Sequence, residues 1–268
     1  MSRLTQCFEN LKKENSKALV TYVVSGDPSA EATLKTMHAM VKGGANIIEL
    51  GVPFSDPMAD GPTIQSGHER ALKNKMSLKK TIDLVATFRE SDKETPIVLM
   101  GYQNPIERMG VDTFVAAAAK AGVDGLICVD LPPEESSELQ EALNGSEIDS
   151  VYLLAPTTTL ERAKKIVACA SGFLYYVSFK GVTGAAHLDV NAVKKKLDEI
   201  RSVSSLPICV GFGIKDGETA RAVTEFADGA VVGSLLVDAM GKNAERDSDE
   251  ISRAVENLVA PIRSAMDK

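Results

Sequence analysis

The sequence predicts an α/β fold, a (β/α)8 TIM barrel with an extra N-terminal helix. Three observations predict it: eight short β-rich apolar runs, amphipathic helical stretches between them, and a weak internal repeat. In that repeat, seen in GGANIIELG (43–51), AGVDGLICVD (121–130) and FADGAVVGS (226–234), a helix end meets a turn at Gly, Asn or Asp and then a buried strand. A chain of 268 residues with 44% apolar content can bury the core such a barrel needs. The alternation continues from end to end without a polar linker, so residues 1–268 read as a single barrel domain. A doubly wound open sheet alternates in the same way, and eight unbroken units argue against it.

Taken in order, residues 3–14 form an amphipathic helix that precedes the first strand and could cap one end of the barrel. The strands expected are ALVTYVV (18–24), NIIELG (46–51), PIVLMG (96–101), GLICVD (125–130), SVYLLA (150–155), FLYYVS (173–178), PICVGFG (207–213) and GAVVGS (229–234). Their continuous apolar character suits parallel strands covered on both faces. Apolar residues recur at intervals of three and four over 30–41, 77–89, 112–121, 134–144, 160–170, 190–203 and 216–226, which are the crossover helices, and 249–265 is the last helix.

The net charge of −7 and the scatter of the 30 Lys and Arg residues argue against nucleic acid or an anionic membrane as a partner. Cys7, Cys128, Cys169 and Cys209 are widely spaced and form no disulfide or zinc pattern, which fits a reducing compartment. The first residues carry charges of both signs and lack the apolar run of a signal peptide, and no stretch approaches 18 apolar residues; a cytoplasmic location is expected.

Barrel enzymes build their sites on the loops after the strand C-termini. The segment ELGVPFSDPMADGPTIQ (49–65) starts on the second strand and continues as a long loop. Glu49 sits among apolar residues with no obvious cation nearby, which raises a carboxyl pKa and suits a group that both gives and takes a proton. Asp56 and Asp60 follow in the loop, and at least one of them is expected to join Glu49 in catalysis.

Glycine-rich strand ends at 178–185, 211–217 and 229–234 let backbone N–H groups approach an anion, making a phosphate site that needs few cations. Gly211, Gly213 and Gly217 miss the dinucleotide fingerprint, so no nicotinamide cofactor is expected. Residues 179–188, with Gly181 and Gly184 around Val182 and Thr183, read as a closing lid. His38, His68 and His187 show no metal-ligand spacing, and each is expected to be structural or exposed.

ELGVPFSDPMADGPTIQ, the GVTGA lid and the GFGI and GS loops together resemble the tryptophan synthase α subunit family over essentially the whole chain. The resemblance implies retro-aldol cleavage of indole-3-glycerol phosphate to indole and glyceraldehyde 3-phosphate. It implies that Glu49 protonates the indole ring carbon and assists deprotonation of the adjacent hydroxyl, while Asp60 stabilises the charge developing at the indole N–H. By the same resemblance Thr183 would hydrogen-bond Asp60 and Tyr175 would lie near the carboxylates. Gly184, Phe212, Gly213, Gly233 and Ser234 would hold the phosphate, and Tyr22, Met100, Ile127, Val129 and Leu153 would form the indole slot.

The resemblance further implies no cofactor in this chain, and a partner β subunit that carries pyridoxal phosphate in an α2β2 heterotetramer. Pro53, Asp56, Pro57, Asn104, Pro105 and residues 130–133, Asp130 and Pro132 among them, match the partner contact. Lys180 stands where many members have Arg. Two other readings stay open at this point: a Schiff-base aldolase using Lys180, and a catalytically idle barrel that binds and activates a partner enzyme.

Overall fold

The computed structural model describes residues 2–178, 190–211 and 213–268. Its strands are β1 (Ala18–Val24), β2 (Ile47–Gly51), β3 (Ile97–Gly101), β4 (Gly125–Cys128), β5 (Asp149–Ser150), β6 (Tyr152–Leu154), β7 (Leu174–Val177), β8 (Ile208–Gly211) and β9 (Gly229–Val232). All pairings are parallel, in the order β5-β4-β3-β2-β1-β9-β8-β7-β6. The fifth run of the sequence is therefore divided at Val151. Its first half pairs with β4 and its second with β7, so the one segment closes the circuit and the barrel is the expected one.

A period of two along each strand sorts the apolar residues into two clusters. Ala18, Val20, Ile47, Val98, Ile127, Val151, Phe173, Cys209 and Val231 fill the barrel interior. Leu19, Val23, Ile48, Leu50, Ile97, Leu99 and Leu126 face outward, under the helices. The helix Arg3–Lys13 buries Leu4, Phe8 and Leu11 in the inner cluster, with the Phe8 and Phe173 rings 5.8 Å apart, so the capping role read from the sequence is its position here. Arg3 and Arg89 both bond the buried Asp124, at 2.8 and 2.6 Å, which fastens this helix to the sheet.

The helices start where the sequence offers caps: Ser29, Ser77, Thr159 and Asp247 each accept a backbone N–H from the first turn, and Asp216 makes a reciprocal capping box with Thr219. Several expected strands end early, at Cys128, Gly211 and Val232, because the glycine and polar residues that follow already belong to loops or to the next helix. The periodicity did not reveal Gln103–Met109, seven residues between two glycines with Pro105 in the first turn. It also missed Ser234–Lys242, hidden behind the glycines of the last strand end. No helix among the described residues is long and apolar enough to cross a membrane.

Candidate active site

Two residues along β2 from Ile47, Glu49 faces the same barrel interior at the C-terminal end of the strands. The residue is 1% exposed, and neither carboxylate oxygen has a hydrogen-bond partner among the described residues. Burial lifts its pKa from 4.5 to about 8, so the carboxyl keeps its proton at neutral pH. Tyr22, the register partner of Glu49 on β1, and Tyr175 on β7 stand beside it. Burial first, and then the charges of Glu49 and Asp60, hold both phenols well above their ordinary range. A Cβ at Gly51 would collide with the Tyr22 hydroxyl, and one at Gly211 with that of Tyr175; the two glycines make the space the tyrosines occupy.

Asp60 comes from the loop between β2 and the helix Pro62–Lys73. Its Oδ2 accepts the Tyr102 hydroxyl at 2.7 Å, and that hydroxyl accepts the Ala59 N–H at 3.1 Å. The Tyr102 ring stacks on Phe54, centroids 5.1 Å apart, and Gln65 Nε2 donates to the Asp60 carbonyl at 2.8 Å. His68 is 2% exposed; its Nδ1 accepts the Phe54 N–H at 3.0 Å and its Nε2 lies 3.4 Å from Asp60 Oδ2. The loop is thus fixed at both ends by side chains from the next strand and the next helix.

Glu49, Asp60, Tyr22, Met100, Tyr175, Gly213, Gly233 and Ser234 line one cleft of about 530 Å³. Gly213 has φ +83°, a conformation costly for any residue with a side chain. Ser234 opens the helix Ser234–Lys242, whose Gly233 cap offers no side-chain hydrogen bond. The first N–H groups of a helix have no intrahelical acceptor, so this end of the cleft offers donors and a favourable dipole to an anion. An acid that is protonated, a second carboxylate held by a hydroxyl, and an anion cradle in one enclosure can protonate a carbon, pair with a cation and hold a phosphate.

Other expected site residues lie elsewhere. Ile127 is fully buried in the inner cluster, while Val129 and Leu153 pack against that cluster and also line a second cavity of about 700 Å³ with Asp130 and Pro132. Thr183, Gly184, Phe212 and Lys180, and with them the lid, fall outside the described residues. Asp56, Asn104 and Asp130 are exposed and Pro57, Pro105 and Pro132 half-buried, as a contact surface requires. Pro53 is the exception: it is buried and offers no surface to a partner.

Reading the sequence missed Tyr102, the link of His68 to Asp60, and the cleft residues Ile64 and Ile214. Tyr102 could have been found, since it directly follows the C-terminal end of β3. It also missed Met58, 83% exposed between Asp56 and Asp60 and a large apolar side chain with no role in the core. Among the described residues no group of three His, Cys, Asp or Glu is placed to hold a metal ion.

Comparison with known proteins agrees over the whole length. The family model described as tryptophan synthase alpha chain matches residues 8–266. The tryptophan synthase alpha chain of Thioalkalivibrio sulfidiphilus is 55% identical over 267 residues, covering all of both chains. The crystal structure of the tryptophan synthase α subunit from Legionella pneumophila superposes with a TM-score of 0.91 at 42% identity, covering 100% of this chain and 99% of that one. A tryptophan synthase structure from M. tuberculosis in an aminoacrylate-bound form matches with a TM-score of 0.88 at 32% identity, covering 99% and 100%.

Proposed function

The chain belongs to the tryptophan synthase α-chain family, and from that premise we propose that Glu49 and Asp60 carry its reaction on a substrate whose phosphate is held by Gly213, Gly233 and Ser234. The enzyme is a carbon–carbon lyase of tryptophan biosynthesis: it cleaves indole-3-glycerol phosphate to indole and glyceraldehyde 3-phosphate and passes the indole to a β subunit. It needs no cofactor of its own; pyridoxal phosphate belongs to the β subunit, with which it forms an α2β2 heterotetramer.

The observation that carries the assignment is a buried Glu49, without a hydrogen-bond partner among the described residues, in one cleft with Asp60 and the glycine-lined anion end. Protonated at neutral pH, Glu49 gives its proton to the indole carbon that bears the glycerol chain. The ring becomes cationic at nitrogen, and the ionised Asp60, oriented by Tyr102, pairs with that charge. Glu49, now a carboxylate, takes the proton of the adjacent hydroxyl; the electron pair of that O–H bond forms the aldehyde, the carbon–carbon bond breaks, and its electrons restore the indole. Tyr22 and Met100 supply apolar walls for the ring.

The exposed Asp56, Met58 and Asp130 on the loops after the strand ends, and Asn104 at the start of the helix Gln103–Met109, are read as the surface that meets the β subunit. A location in the cytoplasm and a single catalytic domain over 1–268 complete the reading. Neither the aldolase nor the idle-subunit alternative gains support: a buried acid that holds its proton has no use in a passive binding module.

Glu49→Gln and Asp60→Asn test the assignment. Each is expected to lower the release of indole from indole-3-glycerol phosphate by about 10³-fold, with far-UV circular dichroism unchanged. Turnover close to that of the parent chain in either variant ends the assignment for that residue.

A further inference from the structure

The helix Pro62–Lys73 reaches back onto the loop before it at two positions one turn apart. Gln65 takes the Asp60 carbonyl at 2.8 Å, and His68 sits between the two ends of the loop, fully enclosed. At one end the Phe54 N–H donates to His68 Nδ1 at 3.0 Å. A ring nitrogen that accepts a hydrogen bond carries no proton, so the single proton of a neutral imidazole is on Nε2. That atom is buried, has no hydrogen-bond partner among the described residues, and is 3.4 Å from Asp60 Oδ2. At 3.4 Å the two atoms are adjacent, about 0.5–0.7 Å beyond the length of a charge-assisted hydrogen bond.

We propose that His68 is a positioning residue for Asp60: the Phe54 backbone locks its tautomer, and the Nε2–H so created holds the carboxylate in line with the cleft. The proposal rests on the assignment of Asp60 to the reaction. A neutral donor is what that reaction needs. Asp60 must keep its full charge to pair with the cation formed on the indole ring, and a Lys, Arg or imidazolium at this place would neutralise it. The Phe54 N–H occupies the Nδ1 side of the ring, so the ring atom that faces Asp60 as a donor is Nε2. The neighbouring Arg70 is already committed to Asp27 through two bonds of 2.6 and 2.8 Å. Tyr102 donates to the same Oδ2 from the β3 side at 2.7 Å, and His68 Nε2 faces that oxygen from the helix side.

Two substitutions separate this role from simple loop anchoring. The amide oxygen of an Asn reaches the place of Nδ1 and keeps the bond to Phe54, whereas the amide nitrogen of a Gln reaches the place of Nε2 and keeps the donor to Asp60. His68→Asn is expected to lower kcat for indole release about tenfold with KM within about twofold, and His68→Gln to restore most of it. Loop anchoring alone gives the reverse order, and that order, or an unchanged kcat in His68→Asn, overturns the proposal. Nitrogen-15 NMR of the parent chain needs no variant: a proton on Nε2 with a bare Nδ1 supports the lock, and a proton on Nδ1 overturns it. Asp60→Asn measured alongside keeps the two readings apart. If it is inactive while His68→Asn is not, only the positioning role fails; if Asp60→Asn turns over normally, the assignment of Asp60 itself has failed.

Discussion

On β2, Ile47 and Glu49 point into the same barrel interior two residues apart, yet their surroundings differ completely. Ile47 joins Leu4, Phe8, Ala18 and Val98 in a closed apolar cluster beneath the N-terminal helix. Glu49 is as deeply buried but borders an open cleft, and no group among the described residues bonds its oxygens. The N-terminal end of the barrel is where burial stabilises the protein. At the C-terminal end, burial costs stability and that cost sets the acid strength of Glu49. Substitutions at the two ends should therefore move stability and turnover independently.

Leu4→Ala gives the largest expected effect. Its side chain is fully enclosed under the barrel, against Gly125 and Gly172, and truncation should cost about 2–5 kcal/mol by denaturant unfolding. Turnover below the melting range should stay near that of the parent; a parallel fall in kcat would break the separation of the two ends. Glu49→Gln is next, with the opposite sign. Between pH 4.5 and about 8 the folded protein holds a proton that the unfolded chain has released, so stability falls as pH rises through that window. The Gln variant should lose that slope and be more stable at pH 7 by up to about 3 kcal/mol, as each pKa unit is worth about 1.36 kcal/mol. Thermal unfolding of both proteins at pH 5 and pH 7 measures it, and equal slopes would mean that Glu49 is solvated.

The same ionisation governs the reaction. Glu49 must begin protonated, so kcat should fall as pH rises through about 8, by about tenfold for each further unit. A profile flat to pH 9 would deny it the role of the acid. Smallest is Met58→Ala: loss of the exposed loop tip should weaken capture of the β subunit by about 1–2 kcal/mol in a titration while leaving isolated turnover unchanged. Unaltered affinity would place the contact away from this loop.

Much of this contrast is legible in the sequence. Glu49 stood out because an acid inside NIIELG, with apolar residues on both sides, has no local means of being neutralised. The capping helix was legible from its period, and the strands from their β-rich runs. The position of Tyr102 after β3 was a usable signal, but the approach of Tyr102 and His68 to Asp60 was not, because they reach it from 42 and 8 positions away and only the folding of the loop brings them together. Val129 and Leu153 show the converse: they stand on the expected strand ends, yet they line the neighbouring cavity.

The sequence by itself determined the barrel, the helix that caps it and the presence of a lone acid at a strand end, because periodicity and local composition act over a few residues. The tertiary structure alone decided the proton affinity of Glu49, the donors around Asp60 and the division of the fifth strand at Val151. Those depend on which groups are missing or present within a few ångströms, and that is fixed by the closing of the barrel and not by any neighbour along the chain.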